Sequence, residues 1–215
     1  MQSKNIDSII FDLDGTLWDA APTCTKAWNV ALKDLGFDHV FEDDFIRSVS
    51  GLKIEKIFDL HFPFVPKEQH TTLIDLYRKH ERVYMKELGG NLFPHMKKML
   101  NELSNNYKLF IVSNCSSGYI ENFLEFHKLQ NLFTDFESSG NTGLSKAGNI
   151  QLIITRNQLK ASVYVGDTVW DYEAADVANI PFIYAAYGFG KVDAAELSVK
   201  EIKELPKLLM SLSGS

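Results

Sequence analysis

The chain has 215 residues, of which 45% are hydrophobic and 23% are charged, and this ordinary balance excludes disordered and fibrous classes. Its formal net charge of −6 disfavours nucleic acid and anionic membrane surfaces as partners, and no apolar stretch approaches the roughly 20 residues of a membrane span. Its two cysteines, Cys24 and Cys115, match no metal or redox spacing, so we expect a reduced, cytoplasmic protein.

Short apolar runs predict the strands of a parallel sheet. The first run, Ile6 to Asp12, ends in acidic residues and Gly15, as a buried strand that leads into a loop would. Four similar runs are Tyr107 to Asn114, Phe133 to Ser138, Ser162 to Asp167 and Pro181 to Ala186. Helical patterns lie between them over His95 to Leu103, Ser117 to His127 and Lys146 to Gln158. Strands that alternate with helices predict an α/β fold with a doubly wound parallel sheet and right-handed crossovers.

The stretch from Asp19 to about Leu88 interrupts this alternation. It shows helical apolar spacing and no convincing strand. The sequence therefore predicts a helical insertion after the first strand, which leaves the core at Leu17-Trp18 and returns at Gly89-Gly90. The expected domains are an α/β core of residues 1–18 and 89–215 and a helical domain of residues 19–88.

Two carboxylates stand two positions apart where the first predicted strand ends, in Phe11-Asp12-Leu13-Asp14-Gly15-Thr16-Leu17. Continued strand geometry aims Asp12 and Asp14 at the same side, and open parallel sheets bind ligands at the carboxyl ends of their strands. The four fixed residues of this D-x-D-G-T pattern arise by chance in such a chain with a probability on the order of 10⁻³. The pattern therefore indicates a functional site.

A second acidic cluster, Gly166-Asp167-Thr168-Val169-Trp170-Asp171, follows a later predicted strand and precedes a helical stretch. Alone, it is also explained by helix capping or by a solvated turn. If the acids of the two clusters converge, their repulsion calls for a hard cation, and Mg²⁺ prefers oxygen ligands and also binds phosphate oxygens. Together the clusters predict a magnesium site.

Three further residues are weaker candidates for phosphate binding. Ser113 and Asn114 close the strand predicted over Tyr107 to Asn114, where hydroxyl and backbone N–H groups can hold an anion at a helix start. A serine-asparagine turn caps helices as often as it binds ligands. Lys146 precedes a helical stretch, where an ammonium would offset phosphate charge, although most lysines are simply solvated.

In order and spacing, these motifs resemble the haloacid dehalogenase-like hydrolase superfamily, and within it the phosphoglycolate phosphatase and β-phosphoglucomutase-like group. The resemblance rests on Asp12-Leu13-Asp14-Gly15-Thr16, Ser113-Asn114, Lys146 and Gly166-Asp167-x-x-x-Asp171. The helical insertion resembles the mobile cap of that family, and Tyr187-Gly188-Phe189-Gly190 is similar to its glycine-aromatic turn. The resemblance implies a Rossmann-like core and a Mg²⁺-dependent phosphatase that acts on a small phosphomonoester.

The resemblance also implies a role for each residue of the motifs. Asp12 would attack phosphorus and form an aspartyl phosphate, and Asp14 would act as general acid and base, oriented by Thr16. Mg²⁺ would bind the Asp12 carboxylate, the Asp14 backbone carbonyl and Asp167, with Asp171 as a ligand or directly behind one.

Residues that would contact the substrate complete this assignment. Ser113 and Lys146, assisted by Asn114, would bind the transferring phosphoryl oxygens. In the helical insertion, Arg47 and Lys53 are candidates for contact with the leaving group.

Two positions depart from the pattern of the resembled group. His95 stands where relatives often carry glycine, and Leu144-Ser145-Lys146 replaces a commoner Gly-Lys-Pro context.

The motifs leave several alternatives open. A phosphomutase of the β-phosphoglucomutase type would share every core residue named above. A dehalogenase is disfavoured because the dehalogenases of the family lack an acid at the position of Asp14. A receiver-like signalling domain lacks the D-x-D-G-T turn and the large insertion, and a non-catalytic descendant would be expected to have lost some of these acids. The sequence predicts no oligomeric state.

Overall fold

The computed structural model describes residues 6–50 and 54–213. They form two compact units: the first comprises the described residues of Met1–Asp19 and Asn91–Ser215, and the second comprises those of Ala20–Gly90. Whether each unit folds as a domain of its own, as the sequence predicts for residues 19–88, stays a prediction. None of the described helices is both long enough and apolar enough to cross a membrane.

A six-stranded, all-parallel sheet forms the centre of the first unit, in the strand order β5-β4-β1-β6-β7-β8. The strands of the described residues are β1 (Ser8–Phe11), β2 (Trp18–Asp19), β3 (Asn91–Leu92), β4 (Lys108–Ser113), β5 (Phe133–Ser138), β6 (Ser162–Gly166), β7 (Phe182–Ala185) and β8 (Ser198–Val199). The two remaining strands, β2 and β3, pair antiparallel with each other. All residues of β1 are buried, as expected for a central strand with both faces covered.

Helices accompany the sheet in the first unit and build the second unit. Those of the second unit are α1 (Ala21–Asp34), α2 (Phe45–Val49), α3 (Ile54–His61) and α4 (His70–Glu87). Those of the first are α5 (Met96–Leu103), α6 (Tyr119–His127), α7 (Ser139–Thr142), α8 (Lys146–Arg156), α9 (Val169–Val177) and α10 (Leu205–Ser213). In α5, the buried residues Met96, Met99, Leu100 and Leu103 follow the spacing of one helical face.

Each unit has its own apolar core. In the first, side chains of β1, β4 and β6, including Ile10, Phe110 and Tyr164, pack with Ile150 and Ile153 of α8. In the second, α1 lies along α4, and the ring of Trp28 stacks on Tyr77 with 4.1 Å between centroids. Burial of this apolar surface is the main force that stabilises both units.

The predicted fold class is confirmed: a doubly wound α/β sheet carries a helical insertion after its first strand. The five predicted strands correspond to β1, β4, β5, β6 and β7. The sequence analysis missed β2, β3 and β8, each only two residues long. It also missed α10. Helix α9 begins at Val169, because Thr168 and Asp171 form a capping box at its amino end.

His95, one of the two departures noted in the sequence, occupies a left-handed backbone conformation with φ of +67° at the start of α5. Such a conformation is strained for any residue with a Cβ, which explains why glycine is expected there. We predict that His95→Gly raises the free energy of unfolding by up to about 1 kcal/mol, or about 2–4 °C in Tm for a chain of this size. Thermal unfolding checks this prediction. His95→Ala is the control, because alanine keeps the strain, and an equal gain from His95→Ala would contradict the backbone explanation.

Candidate active site

The carboxyl ends of three neighbouring strands bring the sequence motifs to one edge of the sheet. β1 lies between β4 and β6, with Phe11 in register with both Ile111 and Val165. Asp12 directly follows β1, and its backbone N–H donates to the Val165 carbonyl at 2.8 Å. Ser113 is the last residue of β4, and Asp167 directly follows β6. The motif at Asp12 therefore meets two motifs that lie more than 100 residues further along the chain, because parallel strands end together.

Three acidic side chains converge at this edge. Asp12, Asp167 and Asp171 are buried, and each offers a carboxylate oxygen within 4.8 Å of the others. Burial first, and then the nearby Asp171 carboxylate, raise the pKa of Asp12 to about 6 and that of Asp167 to about 8. Such a set of oxygen donors has the chemistry that Mg²⁺ requires.

Lys146 is the cation of this cluster. Its Nζ donates to Asp12 Oδ1 at 2.7 Å and to Asp171 Oδ1 at 2.6 Å, and the side chain is only 9% exposed. Burial opposes the charge, but the two carboxylates hold the pKa of Lys146 well above its usual range. The lysine is therefore a charged residue of the site and not a solvated surface lysine.

The sequence around Lys146 makes sense once the structure of α8 is known. Lys146 is the first residue of α8, and the preceding Ser145 caps the helix by accepting a hydrogen bond from the Gly148 N–H at 3.2 Å. Serine is a good residue for this capping position. Leu144-Ser145-Lys146 differs from the commoner sequence around this lysine, but Ser145 still provides a helix cap directly before Lys146.

Asp171 has two tasks, one for each oxygen. Oδ2 accepts from the backbone N–H of Thr168 at 2.9 Å and from its hydroxyl at 2.7 Å, and so caps α9. Oδ1 accepts from Lys146. The structure therefore shows the capping role for this residue and also its contact with Lys146, while its role at a metal site stays a prediction.

Asp167 is held by segments from both ends of the chain. Its Oδ1 accepts from the Thr16 hydroxyl at 3.1 Å, and its Oδ2 accepts from the Phe189 N–H at 2.8 Å. The sequence analysis assigned Thr16 to Asp14, whereas this hydrogen bond connects Thr16 to Asp167. The hydroxyl of Tyr187 donates to the Thr16 carbonyl at 2.9 Å and ties the two segments together.

Two glycines allow these segments to pack against Asp167. Gly15 has φ of +84°, and a Cβ at this position would lie 2.2 Å from Asp167 Oδ2. A Cβ on Gly188 would lie 2.3 Å from both Asp167 Cβ and the Gly15 carbonyl oxygen. Side chains cannot be accommodated at such distances, so both glycines are required by the close approach of the backbone.

The other predicted residues lie in different surroundings. Ser113 is buried at the same sheet edge, and the exposed Asn114 accepts a hydrogen bond from the Ser139 hydroxyl at 2.9 Å. Arg47 is half-buried in α2 of the second unit, and Lys53 lies outside the described residues.

Tyrosines are the contacts that sequence reasoning missed. Tyr119 donates to the Asp14 carboxylate. The Tyr164 hydroxyl donates to the Val112 carbonyl at 2.8 Å and lies 3.4 Å from Asp171 Oδ1. In the sequence, both have the pattern of core residues. Tyr187 belongs to the glycine-aromatic turn, which was the one signal for its position.

The raised pKa of Asp167 predicts how the stability of the metal-free protein depends on pH. Between its unfolded value of about 3.9 and its folded value of about 8, the folded state keeps a proton that the unfolded state releases. Stability therefore falls as pH rises through this window, by up to about 1.4 kcal/mol per pH unit for one such group. We expect Tm in the presence of a chelator to fall from pH 6 to pH 8. Asp167→Asn should remove most of this slope, and an equal slope in the variant would contradict the assignment.

Comparisons with known proteins agree with this architecture. Residues 9–185 match the family model for haloacid dehalogenase-like hydrolases. A phosphoglycolate phosphatase of Synechococcus elongatus is 32% identical over 194 residues, which cover 86% of this chain and 85% of that protein. One from Aliivibrio fischeri is 27% identical over 198 residues, 86% of each protein. A haloacid dehalogenase-like family hydrolase of known structure from Streptococcus pneumoniae superposes with a TM-score of 0.84 at 24% identity, over 94% of this chain and 98% of that chain.

Proposed function

The chain belongs to the haloacid dehalogenase-like hydrolase family and is a phosphatase, and from this premise we propose a Mg²⁺-dependent hydrolysis of small phosphomonoesters through a covalent phosphate on Asp12. One observation carries the proposal: Lys146 bridges Asp12 and Asp171 in a buried cluster that also contains Asp167. A buried carboxylate that is held by an ammonium and flanked by further acids is suited to phosphoryl transfer.

Asp12 is the proposed nucleophile. With a pKa of about 6, raised first by burial, it is ionised at neutral pH, and Lys146 fixes its Oδ1. A carboxylate oxygen attacks phosphorus, so that a bond from Asp12 to phosphorus forms while the bond from phosphorus to the ester oxygen breaks. The displaced alkoxide leaves with the electron pair of the broken bond and takes up a proton.

Asp14 is the proposed source of that proton. Its carboxyl is half-buried, two residues after the nucleophile. As general acid it protonates the leaving oxygen, and as general base it then removes a proton from the water that attacks the aspartyl phosphate. The second step releases inorganic phosphate and restores the Asp12 carboxylate.

The residues that would hold Mg²⁺ are Asp12 and Asp167, with the Asp14 carbonyl and Asp171 as the further groups expected from the sequence. The donor chemistry fits, because three buried acidic side chains lie together while Lys146 pairs with only two of them, so full ionisation of the cluster calls for further positive charge. When bound, the ion supplies positive charge that offsets the charge of the phosphoryl group.

Phosphate recognition is assigned to Ser113, Asn114 and Lys146, as the resemblance implies. Ser113 is supported by its position at the end of β4, and Lys146 by its contact with the nucleophile. Hydroxyl and ammonium donors stabilise the charge that is spread over the phosphoryl oxygens. Selection among esters is assigned to residues 19–88, where Arg47 and Lys53 are the candidate contacts.

The expected cytoplasmic location stays a prediction.

The test is a panel of phosphomonoesters assayed for released inorganic phosphate, with Mg²⁺ and with chelator. Phosphoglycolate comes first because the relatives described above are phosphoglycolate phosphatases, followed by sugar phosphates and nucleotides. We expect Mg²⁺-dependent phosphate release from at least one ester. A sugar phosphate that is isomerised without phosphate release would favour the phosphomutase alternative, and no turnover of any ester would contradict the proposal.

A further inference from the structure

A phenol contacts the proposed acid and base. The hydroxyl of Tyr119 donates to Asp14 Oδ1 at 2.9 Å, across 105 residues of sequence. Tyr119 is only 4% exposed, whereas Asp14 is half-buried. The hydrogen bond therefore connects a fixed core side chain to a carboxyl that remains accessible at the surface of the site.

The position of the Tyr119 ring is determined by the start of α6 and by Trp18. Tyr119 is the first residue of α6 and follows Gly118, whose φ of +85° turns the chain sharply into the helix. The Tyr119 ring packs edge-to-face on the fully buried Trp18, with 5.7 Å between centroids. A tyrosine has few rotatable bonds, so these contacts leave its hydroxyl little freedom.

Trp18 also fixes the main chain of Asp14. The two residues form a β-bridge, and the N–H of Gly15 donates to the Trp18 carbonyl at 2.9 Å. The contacts therefore form a closed ring. The Asp14 main chain is paired with Trp18, the Trp18 ring packs on Tyr119, and the Tyr119 hydroxyl returns to the Asp14 side chain.

We propose that Tyr119 is a positioning residue that holds the Asp14 carboxyl in the rotation needed for proton transfer; the inference rests on the proposed function. Because the phenol donates to Oδ1, Oδ2 carries the proton that passes to the leaving oxygen and later receives one from water. The terminal torsion of an aspartate is intrinsically broad. Loss of the phenol removes a fixed contact to Oδ1 and so widens the range of orientations that the carboxyl can adopt.

The test compares two esters that differ in their need for a proton. Glycerol 2-phosphate releases an alkoxide that must be protonated, whereas 4-nitrophenyl phosphate releases a stable phenolate that needs no acid. The value of kcat/KM reports the steps up to and including departure of the alcohol or phenol from phosphorus. For Tyr119→Phe, which keeps the ring on Trp18, we expect kcat/KM to fall about 10- to 100-fold with glycerol 2-phosphate and less than about twofold with 4-nitrophenyl phosphate.

Two further variants make the outcomes distinguishable. Tyr107→Phe makes the same chemical change next to the opposite end of β4 and should alter neither value. Asp14→Asn should show an even larger difference between the esters. The inference is overturned, and the proposed function stands, if Asp14→Asn discriminates between the two esters and Tyr119→Phe does not. The same holds if Tyr119→Phe lowers kcat/KM equally for both esters. If Asp14→Asn shows no difference, the acid role of Asp14 and the inference about Tyr119 are both overturned, whereas the covalent phosphate on Asp12 is tested separately.

Discussion

Asp12→Asn should lower kcat by at least about 1,000-fold while the protein stays folded. An asparagine side chain has the same shape and can still accept a hydrogen bond from Lys146, which lies 2.7 Å from Asp12 Oδ1. Its amide oxygen is, however, a poor nucleophile towards phosphorus. The measurement is steady-state turnover of 4-nitrophenyl phosphate over a wide range of Mg²⁺ concentrations, because the substitution also removes a charge from the metal site.

Direct detection of the phosphorylated residue makes this prediction specific. Rapid acid quench of wild-type turnover, followed by mass spectrometry of peptides, should place the phosphate on Asp12. The matched control is Asp193→Asn, the same chemical change in an exposed ion pair with Lys191, and it should turn over normally. Normal turnover by Asp12→Asn, or phosphate on another residue, would remove Asp12 from the nucleophile role.

Asp167→Asn should raise the Mg²⁺ concentration for half-maximal activity by about 100-fold. The amide removes one of the converging carboxylates and leaves one acceptor oxygen where Asp167 has two, which accept from the Thr16 hydroxyl and the Phe189 N–H. Activity measured against free Mg²⁺ concentration checks the prediction. In the wild type, Ca²⁺ should inhibit, because its looser coordination would misplace the nucleophile.

Asp176→Asn provides the control for the metal prediction. Asp176 is exposed in α9, the helix that begins two residues after Asp167, and Asp176→Asn removes the same charge as Asp167→Asn. We expect an unchanged Mg²⁺ requirement in this variant. An equal shift in both variants would mean that the general negative charge of the region, and not ligation by Asp167, sets the requirement.

The sequence could predict the sheet and the meeting of its motifs because both depend on local patterns. Buried parallel strands consist almost entirely of apolar residues, and such runs stand out when turn residues bound them, as in β1 and β6. Once these strands are assigned, the topology places Asp12 and Asp167 at one edge without any knowledge of side-chain contacts.

The remaining features of the site have no local signal. The hydrogen bonds of Tyr119 to Asp14 and of Thr16 to Asp167 join residues more than 100 positions apart. A tyrosine at the start of an amphipathic helix is explained equally well by core packing. Strands of two residues, such as β2 and β8, are too short to show any alternation. In these cases tertiary contacts determine the structure, and one sequence does not reveal them.

The two-sided support of Asp167 has a consequence for protein synthesis. Thr16 lies 151 residues before Asp167, whereas Phe189 lies 22 residues after it. A nascent chain that leaves the ribosome from its amino end therefore exposes Asp12 long before the last N–H donor to Asp167 has been translated. A chain that is terminated before Phe189 would contain Asp12 but would lack the N–H group that Phe189 donates to Asp167. The hydrogen bonds that hold Asp167 are therefore completed only late in the synthesis of each chain.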